Sequence, residues 1–289
     1  MIQFDLMQTG DSHSYWDSLA VAYASLGPPL KPSPEDILIM REAVAQAGPV
    51  KHPHSGRAFI LGVTPDIAEK VFPHSWAVIG MDRSPGMTRI VWPGRNGGGR
   101  HVLCGNWQSL PFGDRSFDAI VGDGSLNCLL YPSGLRAVAA SVHRVLRDEG
   151  RFVVRCYLPP LVREGPEDVF ADLWRGAIPS LNHFKLRMWT ALQETPEKGI
   201  TLAAIYQAWK DQRLDVDQVV ARTGWDRVSA QMIELYKGHC TVLSFPTLTE
   251  FRAVFREFFD EVSCSIPAYS LGERCQILVL KPRRTGPAM

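Results

Sequence analysis

The stretch RAFILGVTPDIAEK, residues 57 to 70, joins an apolar run to a glycine and then to a helix-forming segment. The run AFIL predicts a buried strand, Gly62 predicts a break after it, and the residues that follow predict a helix. In parallel α/β sheets, this order of elements presents free N–H groups at a helix N-terminus to a nucleotide-like ligand. The stretch therefore predicts the first strand of such a sheet and a ligand-binding turn.

Four more apolar runs follow at short intervals and predict strands: WAVIGMD (76–82), HVLCGN (101–106), FDAIVGDG (117–124) and RFVVRCYL (151–158). Helix-forming segments alternate with them, and LRAVAASVHRVLRDEG (135–150) predicts a long helix that ends at Gly150. The runs are almost entirely apolar, as strands covered by helices on both faces require. The alternation therefore predicts a mostly parallel sheet between two layers of helices.

Both ends of the chain add elements to this sheet. The segments that begin at Ser14 and Ser33 predict two N-terminal helices, and Ser33 is a suitable N-cap. TLTEFRAVFREFF (247–259) predicts a helix capped by Thr247, and EVSCSIPAYSLGERCQILVLKP (261–282) predicts two strands joined by a connection that contains Gly272. The chain is therefore expected to end in a hairpin.

The composition excludes several classes of partner. The chain has 289 residues, a net charge of +1 and 45% hydrophobic residues, which is typical of a globular protein without a nucleic-acid or membrane partner. Its six cysteines form no C-x-x-C pair, so we expect no metal site and a reduced, cytoplasmic setting. No apolar run is long enough to span a bilayer.

Polar side chains follow the predicted first and second strands. Asp82 ends the second strand, twenty residues after Gly62, and a carboxylate at this position can accept hydrogen bonds from both hydroxyls of a ribose. Thr64 and Asp66 follow Gly62, and their side chains either bind the same ligand or cap the next helix. The spacing of Gly62 and Asp82 favours a nucleotide-like cofactor.

The segment LPFGDRSFDAIV (110–121) resembles a run found in class I S-adenosylmethionine-dependent methyltransferases of the branch that acts on small molecules. In that run an acidic or amide residue precedes Leu-Pro-Phe, and Ser-Phe-Asp leads into the fourth strand. The resemblance covers residues 57–158, with the terminal helix and hairpin in outline. It implies an α/β, Rossmann-like fold with a mostly parallel seven-stranded sheet, S-adenosylmethionine as cofactor and a small-molecule methyl acceptor.

The resemblance also implies roles for residues at the strand ends. Gly62 is expected beside the methionine part of the cofactor, and Asn106 stands where an aspartate usually accepts from the adenine amino group. Ile60 occupies the position of a usual acidic residue, so Asp66 or Asp123 is expected to bind the amine instead. The residues expected to contact the cofactor are Trp16, Tyr23, Gly62, Thr64, Asp66, Asp82, Arg83, Met87, Asn106, Trp107, Asp123 and Gly124.

Residues 159–245 interrupt the alternation with a helical insertion rich in aromatic residues. In LNHFKLRMWTAL (181–192), Leu181, Phe184, Met188, Trp189 and Leu192 share one helix face. We expect this insertion to form a substrate-binding lid, residues 1–50 a helical cap, and residues 51–158 with 246–284 the methyltransferase-like core. The candidates for a catalytic base are His183, His239 and Asp123.

Three other functions compete with an active methyltransferase. The chain can be a methyltransferase-fold protein that binds or regulates without catalysis, because its glycine loop is reduced to Gly62. A nicotinamide-dependent dehydrogenase would need G-x-G-x-x-G where the sequence has GVTPDI. DVDQVVARTGWDRVSAQMIELYKG (215–238) is similar to a helix-turn-helix, but acidic residues nearly balance its basic ones, which disfavours DNA binding.

Overall fold

A computed structural model of the chain describes residues 11–47, 55–93, 99–213 and 215–283. Its strands are β1 Arg57–Leu61, β2 Ala77–Asp82, β3 Arg100–Cys104, β4 Phe117–Asp123, β5 Leu146–Tyr157, β6 Ile200–Thr201, β7 Val242–Leu243, β8 Phe259–Ser265 and β9 Cys275–Pro282. Its helices are α1 Asp11–Ala22, α2 Pro34–Ala45, α3 Pro65–Lys70, α4 Ser133–Val145, α5 Pro166–Trp174, α6 Leu181–Leu192, α7 Leu202–Asp211, α8 Val216–Thr223, α9 Arg227–Gln231 and α10 Leu248–Phe255.

Seven strands of the described chain form one sheet in the order β3-β2-β1-β4-β5-β9-β8. Strands β1 to β5 run parallel to one another, and β9 runs antiparallel to both β5 and β8. This topology confirms the predicted Rossmann-like sheet with a terminal antiparallel hairpin. Strands β6 and β7 pair separately, outside this sheet.

Helices cover both faces of the sheet, as its apolar strands require. Successive residues of β5 point to opposite faces: Phe152 packs in a buried cluster with Phe251 of α10, and Val153 packs in another with Met40 of α2 and Ile67 of α3. The sheet is therefore the middle of three layers, and its strand ends are the positions left open for a ligand.

Helix α4 is shorter than the sequence pattern predicts. It ends at Val145, and β5 begins at Leu146 rather than after Gly150. The backbone N–H groups of Arg115 and Ser116 donate to the carbonyls of Arg144 (3.0 Å) and Val145 (2.7 Å). These bonds tie the end of α4 to the turn before β4, so the following residues enter the sheet. The prediction of a helix through Gly150 was wrong for this reason.

Two predicted N-caps are present and complete. Ser33 Oγ accepts from Asp36 N at 3.1 Å, and Asp36 Oδ2 accepts from Ser33 N at 2.7 Å. Thr247 and Glu250 form the same reciprocal arrangement at the start of α10. Each pair satisfies two backbone donors that would otherwise be free, which fixes where the helix begins.

The helices between β5 and α10 form an aromatic core of their own. Trp209 is 1% exposed and its ring lies 5.3 Å from that of Phe184, while Trp225 Nε1 donates to Ile178 O at 2.7 Å. The segment compared above with a helix-turn-helix belongs to this core. Helix α9 has five residues and continues into a 3-10 turn, Met232–Tyr236, so a long recognition helix does not form there.

Candidate functional site

A cavity opens at the carboxyl ends of β1, β2 and β4, between the sheet and helices α1 and α6. In the sheet, Leu61 pairs with Met81 on one side and with Gly122 on the other, so three strands end side by side. The predicted cofactor residues that line the cavity are Trp16, Tyr23, Gly62, Thr64, Asp82, Arg83, Met87, Asn106, Trp107, Asp123 and Gly124. Asp66 does not line it.

Gly62 brings the backbone of the first turn to the cavity wall. Its φ is +112°, its N–H donates to Met81 O at 2.8 Å, and a Cβ at this position would lie 3.8 Å from Trp107 Cζ2 and 3.9 Å from Asp82 Oδ2. The left-handed backbone favours glycine here, and the position faces Trp107 and Asp82. Thr64, at the start of α3, makes no side-chain cap, and its side chain is instead hydrogen-bonded to Tyr23 of the cavity wall.

Asp82 is a partly buried carboxylate at the end of β2. Its Oδ1 accepts from Ser84 N at 2.9 Å, and its Oδ2 would lie 3.9 Å from a Cβ at Gly62. Burial raises the pKa of Asp82 to about 6, and the Ser84 N–H opposes this rise. The carboxylate faces the cavity, and its role in binding a ribose stays a prediction.

A hydrogen-bonded contact joins α1 to the turn after Asp82. Asp17 Oδ1 accepts from Ser84 Oγ at 2.5 Å and from Gly86 N at 2.7 Å. The same helix supplies Trp16 to the cavity wall. Helix α1 is thus held over the cavity, in the position expected of a helix that covers the cofactor.

The turn after β3 supplies an amide and an indole. Asn106 Oδ1 accepts from Gln108 N at 3.0 Å, which leaves its amide nitrogen and a second lone pair of the oxygen for a ligand. Trp107 Nε1 donates to Met81 O at 2.7 Å. This bond fixes the indole beside Gly62, so Trp107 flanks the cavity as a rigid wall.

Asp123 is joined to a buried arginine. It pairs with Arg155 in the register of β4 and β5, and its Oδ1 accepts from Arg155 Nε at 2.5 Å. Arg155 also donates to Asp36 Oδ2 at 2.8 Å and to the Tyr269 hydroxyl at 2.9 Å. Although burial opposes the charge, Asp123 and Asp36 raise the pKa of Arg155 well above its usual value, so it stays a cation.

The two acids that the sequence offered for the cofactor amine differ in their surroundings. Burial raises the pKa of Asp123, and the Arg155 guanidinium opposes that rise. Asp123 lines the cavity, and its second oxygen has no hydrogen-bond donor among the described residues. Asp66 is instead paired with Lys31 at 3.4 Å and Lys70 at 2.5 Å. Asp123 is therefore the acid available to a ligand.

The two histidine candidates for a catalytic base do not line the cavity. His183 Nδ1 is bound to Ser180 Oγ at 2.8 Å, at the start of α6, and burial lowers the pKa of His183. The His239 ring lies 5.6 Å from that of Tyr15, behind the cavity-lining Cys240. Of the three candidates, only Asp123 lies in the cavity lining of the described residues.

The sequence did not lead us to Lys185, a lysine in the half of the cavity that α6 lines. Lys185 of α6 is 1% exposed, lines the cavity and has its Nζ 4.6 Å from the ring centre of Tyr236. Burial lowers the pKa of Lys185 from 10.5 to about 7. A signal was present, because Lys185 lies four residues after Leu181 and four before Trp189, on the apolar face of the helix.

The described residues hold no group of three His, Cys, Asp or Glu side chains arranged as a metal site needs. In the same part of the chain, every helix is too short or too polar to cross a membrane.

Comparison with known proteins finds similarity in the central part of the chain. Residues 62–154 match the model of a methyltransferase domain. The demethylmenaquinone methyltransferase of Corynebacterium urealyticum is 27% identical over 131 residues, which are 45% of this chain and 51% of that protein. The chain therefore spans about half the length of the curated relatives it matches.

Solved structures share the fold over nearly the whole chain. The CcbJ methyltransferase of Streptomyces caelestis has a TM-score of 0.57 and 15% identity, with 95% of this chain and 100% of that chain covered. A Rhodobacter sphaeroides protein assigned to the Zn-dependent alcohol dehydrogenases has a TM-score of 0.62 and 11% identity, with 96% and 99% covered. At these identities the likeness concerns the fold alone.

Proposed function

We propose that this chain, which contains a methyltransferase domain and has the class I methyltransferase fold, transfers a methyl group from S-adenosylmethionine to a small-molecule acceptor. The observation that carries the proposal is the convergence of Gly62, Asp82 and Asp123 on one cavity that extends into a second, aromatic half. The methyl-transfer activity named for the Corynebacterium urealyticum relative supports it.

The residues in the cavity fit this cofactor. Asp82 offers ionised oxygens to the ribose hydroxyls, and Asn106 offers an amide to the adenine edge. Gly62 allows the backbone to approach the methionine part, whose ammonium would be bound by the free oxygen of Asp123. Asp123 thereby replaces the acid that is missing at Ile60.

When bound, the cofactor supplies a methyl group on a sulfonium, which is already an activated leaving group. The protein's part is then to align the acceptor, exclude water and take up a proton where the acceptor has one. Trp16 and Trp107 line the half of the cavity that we assign to the cofactor. The helical segment 159–245 is then the lid over the other half, which we assign to the acceptor. The apolar lining of that half favours a planar or apolar acceptor.

The competing functions have less support. The sequence GVTPDI lacks the dinucleotide-binding motif, and Trp225 is buried in the core rather than displayed for DNA. An inactive binding protein would have no need for a buried lysine that, among the described residues, has no carboxylate partner in the acceptor half of the cavity. We propose a cytoplasmic enzyme that acts without a nucleic-acid or membrane partner.

The proposal is tested by transfer of an isotopic label. Purified protein is incubated with S-adenosylmethionine bearing a trideuterated methyl group and with a deproteinised small-molecule extract, and mass spectrometry detects labelled products. We expect at least one labelled small molecule, whose formation at low S-adenosylmethionine concentration is about 10- to 100-fold slower with Asp82→Asn and unchanged with Asp66→Asn. An extract that gains no label with the unmodified protein would contradict the proposed function.

A further inference from the structure

Flat aromatic side chains line the acceptor half of the cavity. The Trp189 ring stacks with Phe245 (centroids 5.4 Å apart, planes at 23°) and with Tyr236 (6.3 Å, 22°). All three residues line the cavity. An aromatic lining that is held rigid by such contacts favours a planar ligand, which loses little conformational entropy on binding.

Lys185 lines the same aromatic half of the cavity. Among the described residues, no carboxylate lies within ion-pair distance of its Nζ, which lies 4.6 Å from the centre of the Tyr236 ring. A buried ammonium without a partner is unfavourable, which is why burial lowers the pKa of Lys185 to about 7. A buried lysine with a lowered pKa beside a cavity is typical of a functional site.

We propose that Lys185 is the catalytic base of this enzyme, and that it acts on a phenol-type hydroxyl of a planar acceptor that binds in the aromatic half of the cavity. The inference rests on the proposed function. In the step, the bond between sulfur and the methyl carbon breaks as the bond from the acceptor oxygen to that carbon forms. The proton of the oxygen passes to Lys185 Nζ. The positive charge that leaves the sulfur therefore ends on the lysine ammonium, and the total charge of the cavity is unchanged.

The other titratable groups that line the cavity are less suited than Lys185 to act as the base. Tyr15, Cys128 and Tyr236 face the same half of the cavity, and burial raises the pKa of each, so they keep their protons at neutral pH. Asp123 lies at the sulfur end and is already bound by Arg155. A phenol, with an ordinary pKa of about 10, is acidic enough for a neutral amine to accept its proton as the methyl group arrives.

The test reads the proton directly, without relying on turnover. The protein is saturated with S-adenosylhomocysteine, whose binding is measured by calorimetry, and then titrated with 4-nitrophenol at a slightly acidic pH. Free 4-nitrophenol is then largely the phenol, whereas its phenolate absorbs at longer wavelength. We expect the unmodified protein to bind the probe as the phenolate, paired with the Lys185 ammonium.

Variants separate this role from a structural one. Lys185→Met is expected to bind S-adenosylhomocysteine normally but 4-nitrophenol at least about tenfold more weakly, and as the phenol. Lys185→Gln is the second variant should the methionine variant not fold. Lys198→Met, in the same helical segment but exposed and paired with Glu194, is expected to behave as the unmodified protein.

The outcomes distinguish this inference from the proposed function. If the unmodified protein binds S-adenosylhomocysteine but not 4-nitrophenol, or if Lys185→Met binds the probe equally and as the phenolate, the role of Lys185 is overturned and the proposed function stands. Failure of the unmodified protein to bind S-adenosylhomocysteine would overturn the proposed function, and this inference with it.

Discussion

Replacement of Asp82 by asparagine is expected to stabilise the unliganded protein while it weakens cofactor binding. Folding raises the pKa of Asp82 from 3.8 to about 6, so the folded protein binds more protons than the unfolded chain between these values. The free energy of unfolding therefore falls as pH rises through this window, and the full penalty applies above pH 6. The difference between the two pKa values corresponds to a decrease of at most about 3 kcal/mol in the free energy of unfolding. Water in the cavity screens the charge and reduces this decrease to about 1–2 kcal/mol.

Asparagine has nearly the same shape, keeps the acceptor for Ser84 N and carries no charge. Asp82→Asn should therefore raise the free energy of unfolding by about 1–2 kcal/mol at pH 8 and have little effect near pH 4. It should also replace charge-assisted hydrogen bonds to the ribose by neutral ones, which weakens S-adenosylhomocysteine binding about 10- to 100-fold. Urea denaturation at pH 4 and pH 8 measures the first effect, and calorimetry measures the second.

Asp66→Asn is the matched control. Asp66 follows the same strand end as Gly62 but is paired with Lys31 and Lys70 outside the cavity, so S-adenosylhomocysteine affinity should be unchanged. The assignment of Asp82 would be refuted by unchanged affinity in Asp82→Asn. A loss of stability in that variant at pH 8 would refute the electrostatic reasoning.

Three further substitutions test other parts of the structure. Gly62→Ala should lower the free energy of unfolding by about 1–3 kcal/mol in urea denaturation, because the space is open but φ is +112°; full stability would contradict this. Arg155→Met should cost about 3–5 kcal/mol in the same assay, since it leaves Asp36 and Asp123 buried without their cation; a loss below about 1 kcal/mol would show that the pair is not coupled to folding. Lys185→Met should be several kcal/mol more stable than the unmodified protein at pH 6. Because the folded pKa of Lys185 lies below 10.5, that advantage should shrink between pH 7 and pH 10; an advantage independent of pH would exclude an uncharged lysine in the folded state.

The sheet could be predicted because its strands carry their signal locally. Strands β1 and β4 are short apolar runs followed by turns, and burial on both faces enforces that composition. The end of α4 could not be predicted, because the residues after Val145 have helical periodicity. What ends the helix is a contact with Arg115 and Ser116, thirty residues earlier in the chain.

The position of the residues on the sheet side of the cavity could be predicted better than that of the residues on α6. Gly62, Asp82 and Asp123 lie at or directly after strand ends, and parallel strands bring their carboxyl ends together. Asp66 also lies near a strand end, but it pairs with Lys31 and Lys70. Sequence spacing alone could not show that Asp66 points away from the cavity. Lys185 was missed because a lysine in an amphipathic helix normally reaches solvent, and only the packing of α6 shows that it does not.

The most direct test of the central claim is a calorimetric titration of the unmodified protein with S-adenosylmethionine, S-adenosylhomocysteine and NAD. We predict that S-adenosylmethionine and S-adenosylhomocysteine bind at one site per chain and that NAD does not bind. Heats of binding for NAD alone, or for none of the three, would contradict the claim that Gly62, Asp82 and Asp123 form the cofactor site of a methyltransferase.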